Sequence, residues 1–262
     1  MCISGSVGAL AQNRRDDVKT VQIMLNFGRP SPLRPLDVDG TIGKATIDAI
    51  HEYEVRVVRS ASPSGQVNVG SDTLRSLRAG IPQDRLYWGH LQGVALQASI
   101  ARVDRYYPGL ARHMGTYGIN SPLRRAHFLA QVCHESGQLN YTEEIATGDA
   151  YEGRVDLGNN QPGDGRRFKG RGLIQLTGRA NYIAFGQAIG RSFTTDVEAT
   201  LLATDPDLAC QVACWFWGTR GLNALADADD ISRVTRRING GLNGLADRQA
   251  LYARARCMFN LA

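Results

Sequence analysis

Between His134 and Asn181 the chain sets acidic side chains on two segments. Glu135 lies in His134-Glu135-Ser136-Gly137, and Glu143 and Glu144 stand side by side further on. Hydrolysis of a glycosidic bond needs one protonated carboxyl to give the leaving oxygen its proton. It also needs one ionised carboxylate on the other side of the sugar, as base or nucleophile. Glu135 ends the helical stretch Ala126–His134, which Gly137 stops, and it stands beside Phe128 and Cys133, where partial burial favours the protonated acid. On one continuous helix, the nine residues from Glu135 to Glu144 would turn by about 100° each and put the two on opposite faces. The glycine break lets the chain double back and present Glu144 across a cleft, with Glu143 as the rival base.

The elements that must position these groups read as helices. Apolar residues recur at helical spacing over Val94–Tyr107 (Leu96, Ile100, Val103) and Leu123–His134 (Phe128, Leu129, Val132). Ala180–Ile189, Leu208–Trp217 and Ala246–Phe259 follow the same pattern, and Leu173–Leu176 is the best short strand. Trp215 and Trp217 stand two apart, so core packing is expected for both. Upstream, residues 16–26 form an amphipathic helix behind Asp16 or Asp17. Asp39-Gly40 is a turn, Gly43 opens a helix through Ala49, Ile50 and Tyr53, and a third helical piece spans Ser71–Leu77. The expected architecture is mainly α: a small three-helix domain at 1–80, a short linker at 81–93 with glycines at 89 and 93, and a larger helical domain at 94–262.

Charge and cysteine usage narrow the function. The net charge of +5 is spread along the chain, and no basic stripe or nucleic-acid motif is present, so nucleic acid is not the expected partner. A mild positive excess suits approach to an anionic polymer. Five cysteines without regular spacing describe no disulfide framework, and reduced thiols are expected. Cys210 and Cys214 share a helix face as small buried groups. The first residues lack a basic start and apolar core, so no secretory signal is read, nor any run long enough to span a membrane. The histidines show no His-x-x-x-His pairing that would suggest zinc chemistry, and neither metal nor cofactor is expected.

Two resemblances sharpen this. Residues 5–80 resemble the peptidoglycan-binding domain type 1, on Asp17-Val18, Val21-Gln22, Leu25, Asp39-Gly40, Gly43, Thr46, Ala49-Ile50 and Tyr53. Glu54 stands where that family often has glutamine. The resemblance implies a wall-binding module with Asp39, Gly40 and Tyr53 in its binding set. Residues 125–257 resemble glycoside hydrolase family 19, the chitinase-like family that includes many phage endolysins. The carriers are His134-Glu135-Ser136-Gly137 with Glu144, Ala150-Tyr151-Glu152-Gly153-Arg154, Phe168-Lys169-Gly170-Arg171-Gly172, Ile174-Gln175-Leu176-Thr177, Asn181-Tyr182, Trp215-Phe216-Trp217, Ile238-Asn239-Gly240-Gly241 and Arg248. It implies a lysozyme-like α-helical catalytic domain with Glu135 as general acid, Glu144 as general base and Thr177 holding the attacking water. Gln175, Asn181 and Asn239 would bind sugar, and Arg248 would orient the carboxylates.

The function expected is a monomeric phage endolysin with muramidase activity on peptidoglycan, causing host lysis. It would be made in the host cytoplasm and reach the wall through a separate release system. Chitinase, lytic transglycosylase and non-catalytic wall-binding protein are the alternatives. The arginines over Arg248–Arg256 suggest either outer-membrane disturbance or, more simply, a solvated face.

Overall fold

The computed structural model describes residues 2–28 and 35–261, and it is mainly helical. The chain forms two compact units, Met1–Leu96 with Tyr252–Ala262, and Gln97–Leu251.

In the first unit a two-stranded antiparallel ribbon, β1 (Val7–Gly8) and β2 (Gln66–Val67), accompanies three helices close to where the apolar spacing puts them. These are α1 (Arg15–Gly28), α2 (Lys44–Tyr53) and α3 (Asp72–Ala79). Val18, Val21, Ile23 and Leu25 of α1 are all buried, as are Ala49 and Ile50 of α2 and Leu74 and Leu77 of α3. Asp17, in the first turn of α1, is itself buried. It accepts hydrogen bonds from Ser4 N (2.9 Å), Gly5 N (2.9 Å) and the Ser4 hydroxyl (3.0 Å), tying down the segment that leads into β1.

Residues expected in a wall-binding set also have architectural roles. Gln22, buried in α1, donates to Asp39 Oδ1 (3.0 Å) and accepts from Gly40 N (3.1 Å), which fixes the Asp39-Gly40 turn. Gly40 has φ +77°, and a Cβ there would lie 2.6 Å from Arg15 Cγ, so the position requires glycine. The Thr41 amide and Gln22 together hold the Asp39 carboxyl below its usual range. Tyr53 is buried and pairs its hydroxyl with Ser76 Oγ (3.1 Å), holding α2 to α3.

The segment read as a linker carries a further helix, α4 (Trp88–Val94), with Leu91 and Val94 fully buried. Its glycines mark close approach rather than freedom: a Cβ on Gly89 would lie 2.6 Å from the Phe27 ring. His90 stacks on Phe259 with ring centres 4.5 Å apart, so the C-terminal residues pack into this unit. Cys2 and Cys257 form a disulfide, correcting the expectation of reduced thiols. Their 255-residue separation hides the pairing from any spacing argument.

The second unit contains α5 (Ile100–Thr116), α6 (Pro122–Glu135), α7 (Asp164–Arg167), α8 (Arg179–Ile189), α9 (Asp196–Thr204), α10 (Pro206–Thr219), α11 (Leu222–Asp227) and α12 (Ile231–Asn239). It also holds the first half of α13 (Leu245–Met258). The helix expected over Val94–Tyr107 is broken. Ser99 caps a new start, and Ile100, expected inside, is exposed at that first turn. α10 lies against α5 where Gly109 faces Cys210. Phe128 of α6 meets Trp217 edge to face at 5.4 Å, and Phe185 meets Trp215 at 5.3 Å, so both tryptophans are core. Burial pushes the Cys210 and Cys214 thiols well up, which keeps them inert.

Alkylation under denaturing conditions should label three cysteines without reductant (Cys133, Cys210 and Cys214) and all five after reduction. Intact-mass measurement checks this, and five labels in the unreduced protein would rule out the Cys2–Cys257 bond.

Candidate active site

Burial of Phe128, Leu129 and Val132 fixes α6, which delivers Glu135 at its last position. The reversal beyond it is built by three successive left-handed residues, Gly137, Gln138 and Leu139 (φ +55°, +55° and +67°). Ser136, fully buried, donates its hydroxyl to Val132 O (2.7 Å) and accepts from Leu139 N (2.9 Å), locking that turn. His134 is a helix-end residue, hydrogen-bonded through Nδ1 to Asp247 Oδ2 (2.6 Å).

Glu135 does not meet the apolar wall its neighbours suggested. Its Oε1 accepts from Arg248 Nη2 (2.5 Å), and Arg248 is only 1% exposed. The other terminal nitrogen of Arg248 donates to Gln131 Oε1. Gln131 in turn donates to Thr235 Oγ1 (3.2 Å), and Thr235 to Ile231 O (2.8 Å). One buried polar chain thus joins α13, α6 and α12.

Glu144 comes from a strand-like passage beside residues 170–171. Its amide donates to Gly170 O (2.9 Å), its Oε2 accepts from Gly170 N (3.1 Å), and its Oε1 accepts from the Tyr151 hydroxyl (3.0 Å). Burial first, then the bond to Glu144, pushes the Tyr151 phenol up, so it remains a donor. Glu143 is committed elsewhere: its Oε1 pairs with Arg171 Nε (3.0 Å) and Lys169 Nζ (3.4 Å).

Glu135 and Glu144 line one cleft of about 570 Å³, together with Gln175, Thr177, Asn181 and Asn239. Thr177 donates its hydroxyl to Gln175 O (3.0 Å), and Asn181 Nδ2 donates to Thr177 O (2.7 Å). Asn239 caps its own turn through Gly241 N (2.8 Å) while facing the cleft. Arg248, expected to orient the carboxylates, bonds to Glu135 and does not line the cleft. The expected strand Leu173–Leu176 is a tight turn between the bridge partners Arg171 and Leu176, because Gly172 and Gln175 take left-handed backbone (φ +76° and +56°). Tyr151, Phe216, Arg220 and Arg237 also line the cleft; the first two were read from sequence only as carriers of the resemblance, and none was given a site role. Phe216, between two core tryptophans on a helix, was open to that inference. The return of Tyr151 toward Glu144 follows from the loop path and has no spacing signal.

That loop is pinned by Arg179, whose Nε and Nη2 fork onto Asp164 (2.8 and 2.5 Å) while its guanidinium lies over the Phe168 ring. The fork holds the buried Asp164 carboxyl below its usual range.

Two carboxylates from different segments facing one cleft, with amide and hydroxyl groups beside them, form the arrangement of a glycoside hydrolase. The Chitinase class I family model matches residues 114–232. A glycosyl hydrolase family 19 domain-containing protein of Haemophilus influenzae is 33% identical over 181 residues, 57% of this chain and 87% of that one. The acidic 27 kDa endochitinase of Solanum lycopersicum is 32% identical over 186 residues, 60% of this chain and 70% of that one. The match to endochitinase At2g43610 of Arabidopsis thaliana spans only 39% of that protein, at 40% identity over 44% of this chain. Among solved structures, chitinase C from Streptomyces griseus HUT6037 shares the fold, with a TM-score of 0.55 and 23% identity over 67% of this chain and 93% of that one. The chain belongs to glycoside hydrolase family 19.

Glu144→Gln should lower kcat by about 10²–10⁴-fold. Glu143→Gln should leave kcat within about tenfold and lower the melting temperature instead, because it strips Arg171 of its partner. Steady-state kinetics with paired thermal melts separates the two carboxylates; equal kinetic losses would mean that the ion pair, not Glu144, governs turnover.

Asp164→Asn should destabilise the folded state by about 3 kcal/mol near pH 7. Because the folded carboxyl titrates below its unfolded value, its stabilisation is present above the ordinary carboxylate range and lost as pH falls through the folded value. The gap between wild type and variant should therefore narrow as pH falls below the ordinary carboxylate range. Denaturant melts from pH 7 downward would show it.

Proposed function

We propose that this chain is an endolysin-type muramidase that hydrolyses β-1,4 bonds of bacterial peptidoglycan with inversion. The observation that carries the reading is the placement of Glu135 and Glu144 on one cleft, each with different company. Arg248 engages Oε1 of Glu135, leaving Oε2 to give its proton to the leaving oxygen. As that proton departs, the guanidinium stabilises the carboxylate being formed, an interaction worth most in the transition state. Among the described residues the Glu144 carboxylate accepts from neutral donors, the Tyr151 hydroxyl and Gly170 N, and remains an acceptor suited to activating water. Thr177, beside it, helps hold that water. Inversion needs about 6.5–9.5 Å between the carboxyls, room for one water. Gln175, Asn181 and Asn239 supply amides for sugar hydroxyl and acetamido groups, and Arg248 acts through Glu135 rather than by touching sugar.

The first unit, small and helical, is read as the wall-binding module on the residues of the peptidoglycan-binding resemblance. Of the expected binding set, Tyr53 is buried on Ser76, whereas the Asp39-Gly40 turn keeps Asp39 exposed. The enzyme acts as a monomer on peptidoglycan, with no nucleic-acid partner, no cofactor and no stable membrane insertion. A separate release system delivers it to the wall and host lysis follows. A disulfide persists more readily outside a reducing cytosol, in keeping with that destination. The C-terminal arginines form no free basic face: Arg248 is buried, Arg254 pairs with Asp16 (3.0 Å), and Arg256 contacts the Tyr252 hydroxyl (3.2 Å).

Mass spectrometry of soluble products from purified peptidoglycan tests the reading. Reducing-end N-acetylmuramic acid, lost with Glu135→Gln and with Glu144→Gln, is the expected result. Anhydro-muramyl products would mean a lytic transglycosylase, and cleavage of chitin oligomers without action on peptidoglycan would mean a chitinase.

A further inference from the structure

Beside the catalytic cleft lies a second hollow of about 380 Å³, lined by Arg233, Arg236, Arg237, Leu225 and Gly240. Arg237 lines both spaces, so the hollow continues the cleft at one end. Arg220 stands on the cleft side of this border; its guanidinium lies over the Phe216 ring at 5.1 Å and donates to Asn181 Oδ1 (3.3 Å). Arg233 and Arg236 are exposed, and their side chains make no hydrogen bond or ion pair with any described residue. Nearby acids are engaged elsewhere. Asp227 takes the fork of Arg124 (2.7 and 2.6 Å), Asp229 binds His127 (3.0 Å), and Asp230 caps α12 through Arg233 N (2.9 Å).

On α12, Arg233 stands three and four positions before Arg236 and Arg237, so the three cations crowd one face and repel one another. A helix C-terminus favours Arg236 and Arg237 but gives no reason for Arg233, nor for setting all three at the cleft's mouth. A chitin strand is neutral and offers these groups nothing. A peptidoglycan strand carries, on every second sugar, a peptide with free carboxylates, which guanidinium groups bind by charge-assisted forks.

We propose that this hollow receives the carboxylates of the stem peptide and so selects peptide-bearing glycan over bare N-acetylated glycan. The assignment rests on the peptidoglycan reading above. The site holds substrate and takes no part in proton transfer.

The test compares wild type, Arg233→Gln/Arg236→Gln and Arg233→Lys/Arg236→Lys on peptide-bearing glycan strands and on the same strands stripped of peptide by an amidase. For the glutamine pair, KM on peptide-bearing strands should rise about 3- to 10-fold with kcat unchanged. Neither parameter should change on stripped strands, and the lysine pair should recover much of the loss. Equal losses on both substrates, or none on the peptide-bearing one, would overturn the proposal. A second measurement stands apart from cleavage: titration of full-length Glu135→Gln protein with a soluble disaccharide–tetrapeptide and with its carboxamide form. Weaker binding of the carboxamide, and of the free acid once Arg233 and Arg236 are glutamine, supports the hollow even if wild type fails to cut peptidoglycan. In that case the functional reading falls and the site stands. Equal binding in all cases removes the site whatever the enzyme cuts.

Discussion

The buried bond between Arg248 and Glu135 is the constraint on which the second unit's site depends. Withdrawing a guanidinium from water is costly, and a buried pair of this kind adds little to net stability. Its value is positional. Arg248 must keep its carboxylate, its Gln131 carbonyl and the Asn243 carbonyl satisfied together, and these can be met only when α6 and α13 hold one mutual placement. Gln131 and Thr235 extend the requirement to α12, the helix that also carries Asn239 and the arginine face. The acid, one wall of the cleft and the charged border are therefore set by a single network.

Glu144 is governed by different physics. It stands on a loop, and its placement comes from close backbone approach. Gly170 admits both its amide and its carboxylate, and a Cβ there would lie 2.9 Å from Gln175 Oε1 and 3.3 Å from Glu144 Oε2. The loop beyond it is held by ion pairs, Arg171 on Glu143 and Arg179 on Asp164, around the fully buried Phe168. One carboxylate is thus fixed by helix packing and the other by a glycine contact and a set of ion pairs. This division places two acids on opposite sides of a cleft without a shared element.

Much of this was legible in the sequence because it rests on local periodicity. The helices α1, α2, α3, α6, α8 and α10 follow apolar spacing, and the Glu135 and Glu144 motifs were visible together with the turn between them. What stayed hidden depends on contacts distant in the chain. The glycines of 81–93 looked like linker residues because Phe27 and Met258, which press on them, are far away in sequence. The same distance hid the Cys2–Cys257 bond. Leu173–Leu176 has a strand's composition, but Gly172 and Gln175 turn it, and left-handed backbone at a glutamine carries no sequence signal. Arg248 was expected near the carboxylates, yet only the fold decides whether a guanidinium faces sugar or the back of Glu135.

Glu54 is the clearest departure from the peptidoglycan-binding pattern in the first unit, and its surroundings account for it. The side chain is buried and accepts from Ser64 N (2.7 Å), Gly65 N (2.8 Å), Ser64 Oγ (3.1 Å) and Thr73 Oγ1 (3.2 Å). Both backbone amides meet at Oε2 and both hydroxyls at Oε1, and the carboxylate makes all four of these bonds charge-assisted. Asp17 does the same for Ser4 and Gly5. Each carboxylate secures a Ser-Gly step just ahead of one strand of the ribbon, and Val7 and Val67 then pair across it as buried residues. The departure at Glu54 therefore belongs to the way this unit closes its ribbon, and a glutamine there would keep an oxygen for the two amides but lose the charge that strengthens their bonds.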